Sequence, residues 1–248
     1  MLSDAENKRF WHIRSAKYDK LFWVKDKSYL DSIIKLGDFK NSHLVLDVGT
    51  GTGAVANEVK KKVRHVVAID VSHSMMSMGK WEGISVIKWD IGDSLFSEGL
   101  FDRVLARMVF HHILDNLDRA ILRCYDVLKK GGKIVVAEGV PPTDDQEVVE
   151  WYTNMFKLKE KRRTFSIGIL ESYLKKNGFK DIQTHVHVMK KFSINNWLDN
   201  SGISREKQKK IYSLHVNASK KVKDAYNMKI IKNECFVRTV NLIVKGKK

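Results

Sequence analysis

The chain has 248 residues, 43% of them hydrophobic and 30% charged, which suits one large domain or a core with an embellishment and excludes a disordered chain. No apolar run reaches the roughly 18 residues a spanning helix needs, and the opening MLSDAENKRFW has acids and no apolar h-region, so it does not read as a secretory signal. Cys124 and Cys235 are too few for a disulfide scaffold or a cysteine-based zinc site and read as buried thiols in a reducing cytoplasm. The histidines are scattered without HExxH spacing, so no metal is expected. The net charge of +16 is uneven: residues 1–156 hold 22 basic and 22 acidic residues, whereas residues 157–248 hold 23 and 7. A basic C-terminal third attracts phosphates, anionic lipid or an acidic substrate, or is simply a solvated lysine-rich face.

In chain order, residues 3–36 read as helical, with Phe10, Ile13, Tyr18, Leu21, Phe22, Tyr29, Ile33 and Ile34 at roughly helical spacing. Strands follow at 43–49, 65–70, 84–90, 101–107 and 133–139. Helices are expected between them at 53–62, 74–80 and 115–130, the last capped by Asp115 and closed by Gly131-Gly132. Short connections between alternating strands and helices mean a parallel, doubly wound α/β sheet. Pro141 and Pro142 should end the fifth strand. Beyond them come helices at 144–161 and 166–176, then alternating strands at 181–192 and 234–244. About 40 helix-like residues separate those two strands, where a hairpin needs only a few.

The most informative segment is Leu46-Asp47-Val48-Gly49-Thr50-Gly51-Thr52-Gly53-Ala54. A glycine-rich turn between a first strand and a helix lets backbone approach a ligand, and Gly49, Gly51 and Ala54 fit the dinucleotide fingerprint loosely. Asp47 would repel a pyrophosphate there and would suit a cationic amino group. Asp70 ends the second strand, where it can accept two ribose hydroxyls, and Asp90 ends the third, near an adenine amino group. Each could merely cap or face solvent. Together, at successive strand ends, they describe a positively charged nucleoside.

With VLDVGTGTGAVA (45–56), AIDVSHSMM (68–76), WDIGDSLFSEGLFDRVLARMVFHHILD (89–115) and LKKGGKIVVAE (128–138), the chain resembles the class I S-adenosylmethionine-dependent methyltransferases, in particular the small-molecule branch that includes the ubiquinone and menaquinone biosynthesis enzymes. The likeness is dense over 40–140 and loose over 166–192. It implies a doubly wound, seven-stranded, mostly parallel sheet with an antiparallel last strand, of the Rossmann-like methyltransferase type. The domain would comprise 41–192 and 231–248, with an N-terminal helical cover (1–40) and a helical insertion (193–230) capping the substrate site. It also implies S-adenosyl-L-methionine as cofactor, with S-adenosyl-L-homocysteine as product. Gly49, Gly51 and Gly53 would line the methionine part and Asp47 would lie near its amino group. Asp70 and Val71 would meet the ribose, Met75, Asp90 and Ile91 the adenine, and Arg107 or Met108 the methionine moiety.

Methyl transfer by in-line displacement chiefly needs alignment, and a general base only when the acceptor carries a proton of high pKa. His112, beside His111, and Glu138 are the candidate bases; His185 and His187 read as structural, and His215 is open. The acceptor pocket is expected from covers: Phe10, Trp11, Tyr18, Phe22 and Trp23 before the sheet, and Trp151, Tyr152, Met155 and Phe156 after the prolines. Arg162, Arg163 and nearby lysines could hold an acidic group on the acceptor, or form a solvated helix end. The expected acceptor is a small molecule, aromatic, lipophilic or acidic. The alternatives are an RNA or protein methyltransferase using the basic third, with nucleic acid not favoured because no appended RNA-binding module or base-methylation signature is visible, a nicotinamide oxidoreductase, which Asp47 opposes, and a non-catalytic protein retaining the cofactor pocket.

Overall fold

A computed structural model describes residues 4–248, with side chains from Arg9 onward; Ser3, the first residue of the expected helix, lies outside the described residues together with Met1 and Leu2. The strands are β1 (Leu44–Val48), β2 (His65–Asp70), β3 (Ile84–Lys88), β4 (Phe101–Arg107), β5 (Leu128–Val140), β6 (Lys180–Ser193), β7 (Lys229–Ile231) and β8 (Glu234–Lys247). They form one sheet in the order β3-β2-β1-β4-β5-β8-β6, with β7 paired to β8. Strands β1 to β5 are parallel, and β8 runs antiparallel between β5 and β6. The sheet is thus the expected doubly wound one with an eighth, short strand added. Lys232 and Asn233 both adopt left-handed backbone (φ 48 and 65) and close a two-residue hairpin, so β7 can pair with the start of β8.

Alternation along the strands splits the core into two layers, one on each face of the sheet. Val45, Leu105 and Val135 join one layer, whereas Leu46, Val104 and Ile134 join the other. The first layer is covered by α2 (Lys27–Gly37), α3 (Ala54–Lys60) and α6 (Gln146–Lys159), and by the short helices α8 (Ile194–Asp199), α9 (Arg205–Val216) and α10 (Lys220–Ala225). The second is covered by α5 (Leu117–Asp126) and α7 (Ile167–Lys176). Cys124 and Cys235 are free and buried, one in each layer. His187 is buried against Tyr29, with ring centroids 5.1 Å apart, which agrees with its structural reading. No described helix is long and apolar enough to cross a membrane.

Several expected helices are shorter or broken. The N-terminal one divides into α1 (Asp4–Tyr18), a 3-10 turn at Phe22–Lys25, and α2, which Asp26 caps by accepting from Tyr29 N at 2.8 Å. The helix expected over 74–80 is the single turn α4 (His73–Met76), because Trp81 folds back and its indole donates to Met76 O at 2.8 Å. Helix α5 stops at Asp126 rather than Lys130, since Leu128 pairs with Phe101 and commits the backbone to β5. Asp115 is not its cap: Asn116 holds that place at φ 57 without a side-chain capping bond. Strand β3 ends at Lys88, which leaves Asp90 in the loop beyond it.

One buried cation ties a cover helix to the sheet. Arg103 on β4 is 6% exposed; its guanidinium donates to Gly37 O at 2.9 Å and Asp38 O at 3.0 Å, the carbonyls at the end of α2. Arg103→Met should leave those acceptors unpaired and lower the unfolding free energy by about 1–3 kcal/mol, read from urea denaturation.

Candidate functional site

The carboxyl ends of β1, β2 and β4 meet at the point where strand order reverses, the place where open α/β sheets leave a crevice. The turn after β1 follows from its glycines. Gly49, Gly51 and Gly53 are left-handed (φ 65, 59 and 81), and a Cβ on Gly49 would stand 2.3 Å from Val109 Cγ2, so only glycine fits there. Asp70 joins this turn to the next one: Gly51 N donates to its Oδ2 at 2.8 Å and Ser72 N to its Oδ1 at 2.7 Å. Asp47 is 2% exposed and accepts from Thr50 Oγ1 at 2.6 Å. Asp90 is exposed and accepts from Gly92 N at 2.8 Å.

A cavity of about 670 Å³ opens over this edge. Its wall includes Asp47, Gly49, Gly51, Asp70, Val71, Met75, Asp90, Ile91, Arg107 and Met108, and also Trp11, Tyr18, Trp23, His112, Tyr152 and Arg162, so the structure brings these expected residues together. Five expected residues do not line it, among them Arg163, whose Nε donates to Ile113 O at 2.7 Å. Gly53 is the left-handed N-cap of α3 and packs against Trp81 instead. Trp151 packs behind the cavity wall against His215 and Tyr226, at ring distances of 5.0 and 5.2 Å. Glu138 is fully buried behind His111, whose Nδ1 lies 2.6 Å from its Oε2. Phe22, expected among the aromatic covers, is 73% exposed. Arg107 is on the wall but directs its guanidinium to the N-terminal cover, donating to Trp23 O and Val24 O at 2.9 and 3.0 Å.

Burial pushes Asp47 up to about 7, opposed by the Thr50 hydrogen bond and the Arg107 charge. Burial raises Asp70 as well, opposed by the N–H groups of Ser72, Gly51 and Val71. Two carboxylates, Asp47 buried and Asp70 half-buried, favour a cation or hydroxyl donors as ligand. On the opposite wall the 3-10 turn Phe110–His112 presents two imidazoles, 4.0 Å apart at their centroids. Burial drives both well below the usual imidazole range, so they are neutral. Burial pushes Glu138 up to about 7. Beside them, Glu160 accepts from Arg14 Nη1 at 2.8 Å and Lys159 Nζ at 2.6 Å. His111, His112 and Glu160 place one donor atom each within 4.8 Å of one another, a spacing that could hold a metal ion. His215 lines the cavity; its Nδ1 lies 2.7 Å from Ile211 O, and burial pushes it down to about 4.

Sequence reasoning missed Arg14, Glu160 and the role of His111, and included Lys159 only among the lysines near Arg162. Nothing local marks them, because Arg14 and Glu160 meet across 146 residues of chain. Only the adjacent histidines carried a signal.

Residues 46–136 match the family described as methyltransferase domain. Among curated relatives, phosphoethanolamine N-methyltransferase 2 of Caenorhabditis elegans is 30% identical over 166 residues, which cover 62% of this chain and 36% of that one. Demethylmenaquinone methyltransferase of Thermotoga maritima is 30% identical over 136 residues, covering 51% and 58%. The chain thus spans about a third and somewhat over half of their lengths. The crystal structure of YcgJ from Bacillus subtilis superposes with a TM-score of 0.76 at 19% identity, over 89% of this chain and 98% of that one, and supports the fold.

Asp47→Asn should retain the Thr50 contact and remove a buried charge. An acid whose pKa is higher folded than unfolded costs stability as pH rises through that interval, here from about 4 to about 7. The variant should therefore match the parent near pH 4 and exceed it by about 2–4 kcal/mol at pH 8, measured by urea unfolding across that range.

Proposed function

We propose that this protein, which carries a methyltransferase domain over residues 46–136, transfers the methyl group of S-adenosyl-L-methionine to a small-molecule acceptor. One observation carries the reading. A single cavity has strand-end carboxylates on one wall and, on the other, aromatics from α1, α6 and the 194–225 helices. An acceptor reaching it lies among helices and rings, a setting that suits a compact ring-bearing, lipophilic or acidic molecule. In this reading residues 1–40 are a cover and residues 193–230 a cap over the acceptor, with Ile194, Trp197, Lys207 and His215 on the cavity wall. The two free buried thiols suit a reducing cytoplasm.

The residues present fit the cofactor. Asp47, dry and raised, would hold its ammonium group; Asp70 retains lone pairs for ribose hydroxyls beside the two N–H groups it already takes; Met75, Asp90 and Ile91 would flank the base. A pyrophosphate would meet two carboxylates, and Gly51 N is already committed to Asp70. Bound there, S-adenosyl-L-methionine supplies an electrophilic methyl group on a sulfonium. The protein supplies orientation and exclusion of water through Trp11, Tyr18 and Trp23. For an acceptor that must lose a proton, His111 and His112 are neutral bases on the cavity wall. Glu138 positions His111 through its 2.6 Å contact and does not itself reach the cavity.

Methyl release from labelled cofactor across a panel of small acceptors, with RNA and protein substrates as comparison, tests the reading; transfer only to RNA or protein would overturn the small-molecule assignment. Asp70→Ala should weaken cofactor binding by about 1–3 kcal/mol by calorimetry, the range for a lost buried polar partner. Only ionised Asp47 attracts the ammonium group, so affinity should rise with pH up to about 7 and level off. Calorimetry should find binding about tenfold weaker at pH 6 than at pH 8, with the difference gone in Asp47→Asn.

A further inference from the structure

We infer that Arg14, Lys159 and Arg162 form a subsite for an anionic oxygen group, a carboxylate or a phosphate, and that the acceptor carries it. Calling the ligand the acceptor rests on the methyl-transfer reading; the subsite itself does not. The three side chains are 6%, 1% and 3% exposed and all line the cavity. Among the described residues, Glu160 is the one carboxylate paired with any of them. It lies within hydrogen-bond reach of Arg14 and Lys159, at 2.8 and 2.6 Å, whereas Arg162 Nη1 stands 3.9 Å from it. Arg162 spends its other donors on long contacts to backbone carbonyls, 3.3 Å to Arg163 and 3.4 Å to Gly139. The Nε of Arg14 is buried and has no hydrogen-bond partner among the described residues.

Charge counting gives the ligand its sign. Three cations surround one carboxylate, which leaves two positive charges in excess. A buried cation costs several kcal/mol unless it is paired, so the cluster is short of negative charge. A bound anion would restore the balance. A metal ion would do the reverse. Glu160, the carboxylate of the candidate metal cluster, already accepts from two cations through Oε2, and a metal would add a further positive charge beside them. The rest of the subsite is aromatic: the Arg162 guanidinium carbon lies 4.2 Å from the Phe156 ring centroid, and Lys159 Nζ lies 5.4 Å from that of Trp197. The matching ligand has an apolar body and an acidic end.

The test is calorimetric titration of benzoate, phenyl phosphate and benzyl alcohol, at constant ionic strength, into the protein with and without saturating S-adenosyl-L-homocysteine. At least one anion should bind about tenfold more tightly than the alcohol, and whichever it is identifies the group as carboxylate or phosphate. Arg162→Gln and Lys159→Met should each remove about tenfold of that preference, and Arg162→Lys should recover part of it, while S-adenosyl-L-homocysteine affinity stays within about twofold as evidence of folding. The subsite is overturned if neither anion outcompetes the alcohol in folded protein, if the preference survives both variants, or if Zn²⁺ binds stoichiometrically and Glu160→Gln abolishes that binding. Failure of S-adenosyl-L-homocysteine to bind strikes the methyl-transfer reading alone, because the titration without it still reads the subsite.

Discussion

The cavity depends on Asp70 more than on any other side chain. Its two oxygens take one backbone N–H from the glycine turn after β1 and one from the turn after β2, at 2.8 and 2.7 Å. Two loops that would otherwise move separately are pinned to one carboxylate. A charge-assisted bond of this kind is among the stronger ones available to a folded chain. Holding the turns also fixes where Met75 sits over Gly51, and therefore the width of the crevice between them. Asp47 extends the arrangement inward, where burial has raised its pKa to about 7 and Thr50 gives it its one short hydrogen bond. An acid kept in that state holds back stability in exchange for a preference about what binds, which is the pattern expected where function and folding compete.

The second wall rests on a different principle. Arg14, Lys159, Glu160 and Arg162 are charges drawn into a low-dielectric interior and stacked with aromatic rings. Such clusters seldom add stability, because desolvation offsets most of the attraction. Their presence on a cavity wall is better understood as recognition than as scaffolding. The two walls thus have opposite electrostatic character within one space, acidic under the strand ends and basic beneath α1 and the end of α6.

Legibility followed sequence distance. The strands, the glycine turn and the three aspartates were readable because each is defined within a few residues, and strand ends in a parallel sheet necessarily share an edge. Where reading went astray, the reason was usually direction rather than location. Trp151 and Tyr152 are adjacent on α6, yet about 100° of helical rotation separates a residue packed behind the cavity from one on its wall. Glu138 stands at the right edge but is stopped by His111, which takes the place facing the cavity. Gly53 belongs to the same glycine run as its neighbours and serves the helix instead. Of the buried charge cluster only Arg162 and its lysine-rich surroundings were legible, since nothing in such a stretch marks which lysine the fold will enclose.

The position of α1 joins the two groups of charges. Trp11, Arg14 and Tyr18 line the cavity together with Asp47 and Asp70 and with Lys159 and Arg162, so one helix borders both groups. Its latch to the far side is the Arg14–Glu160 contact, and Thr52 Oγ1, reaching Asp19 at 2.6 Å just past the helix, fastens it to the near side. Both fastenings belong to one stretch of chain, so a change at either one reaches the acidic and the basic residues of the cavity together.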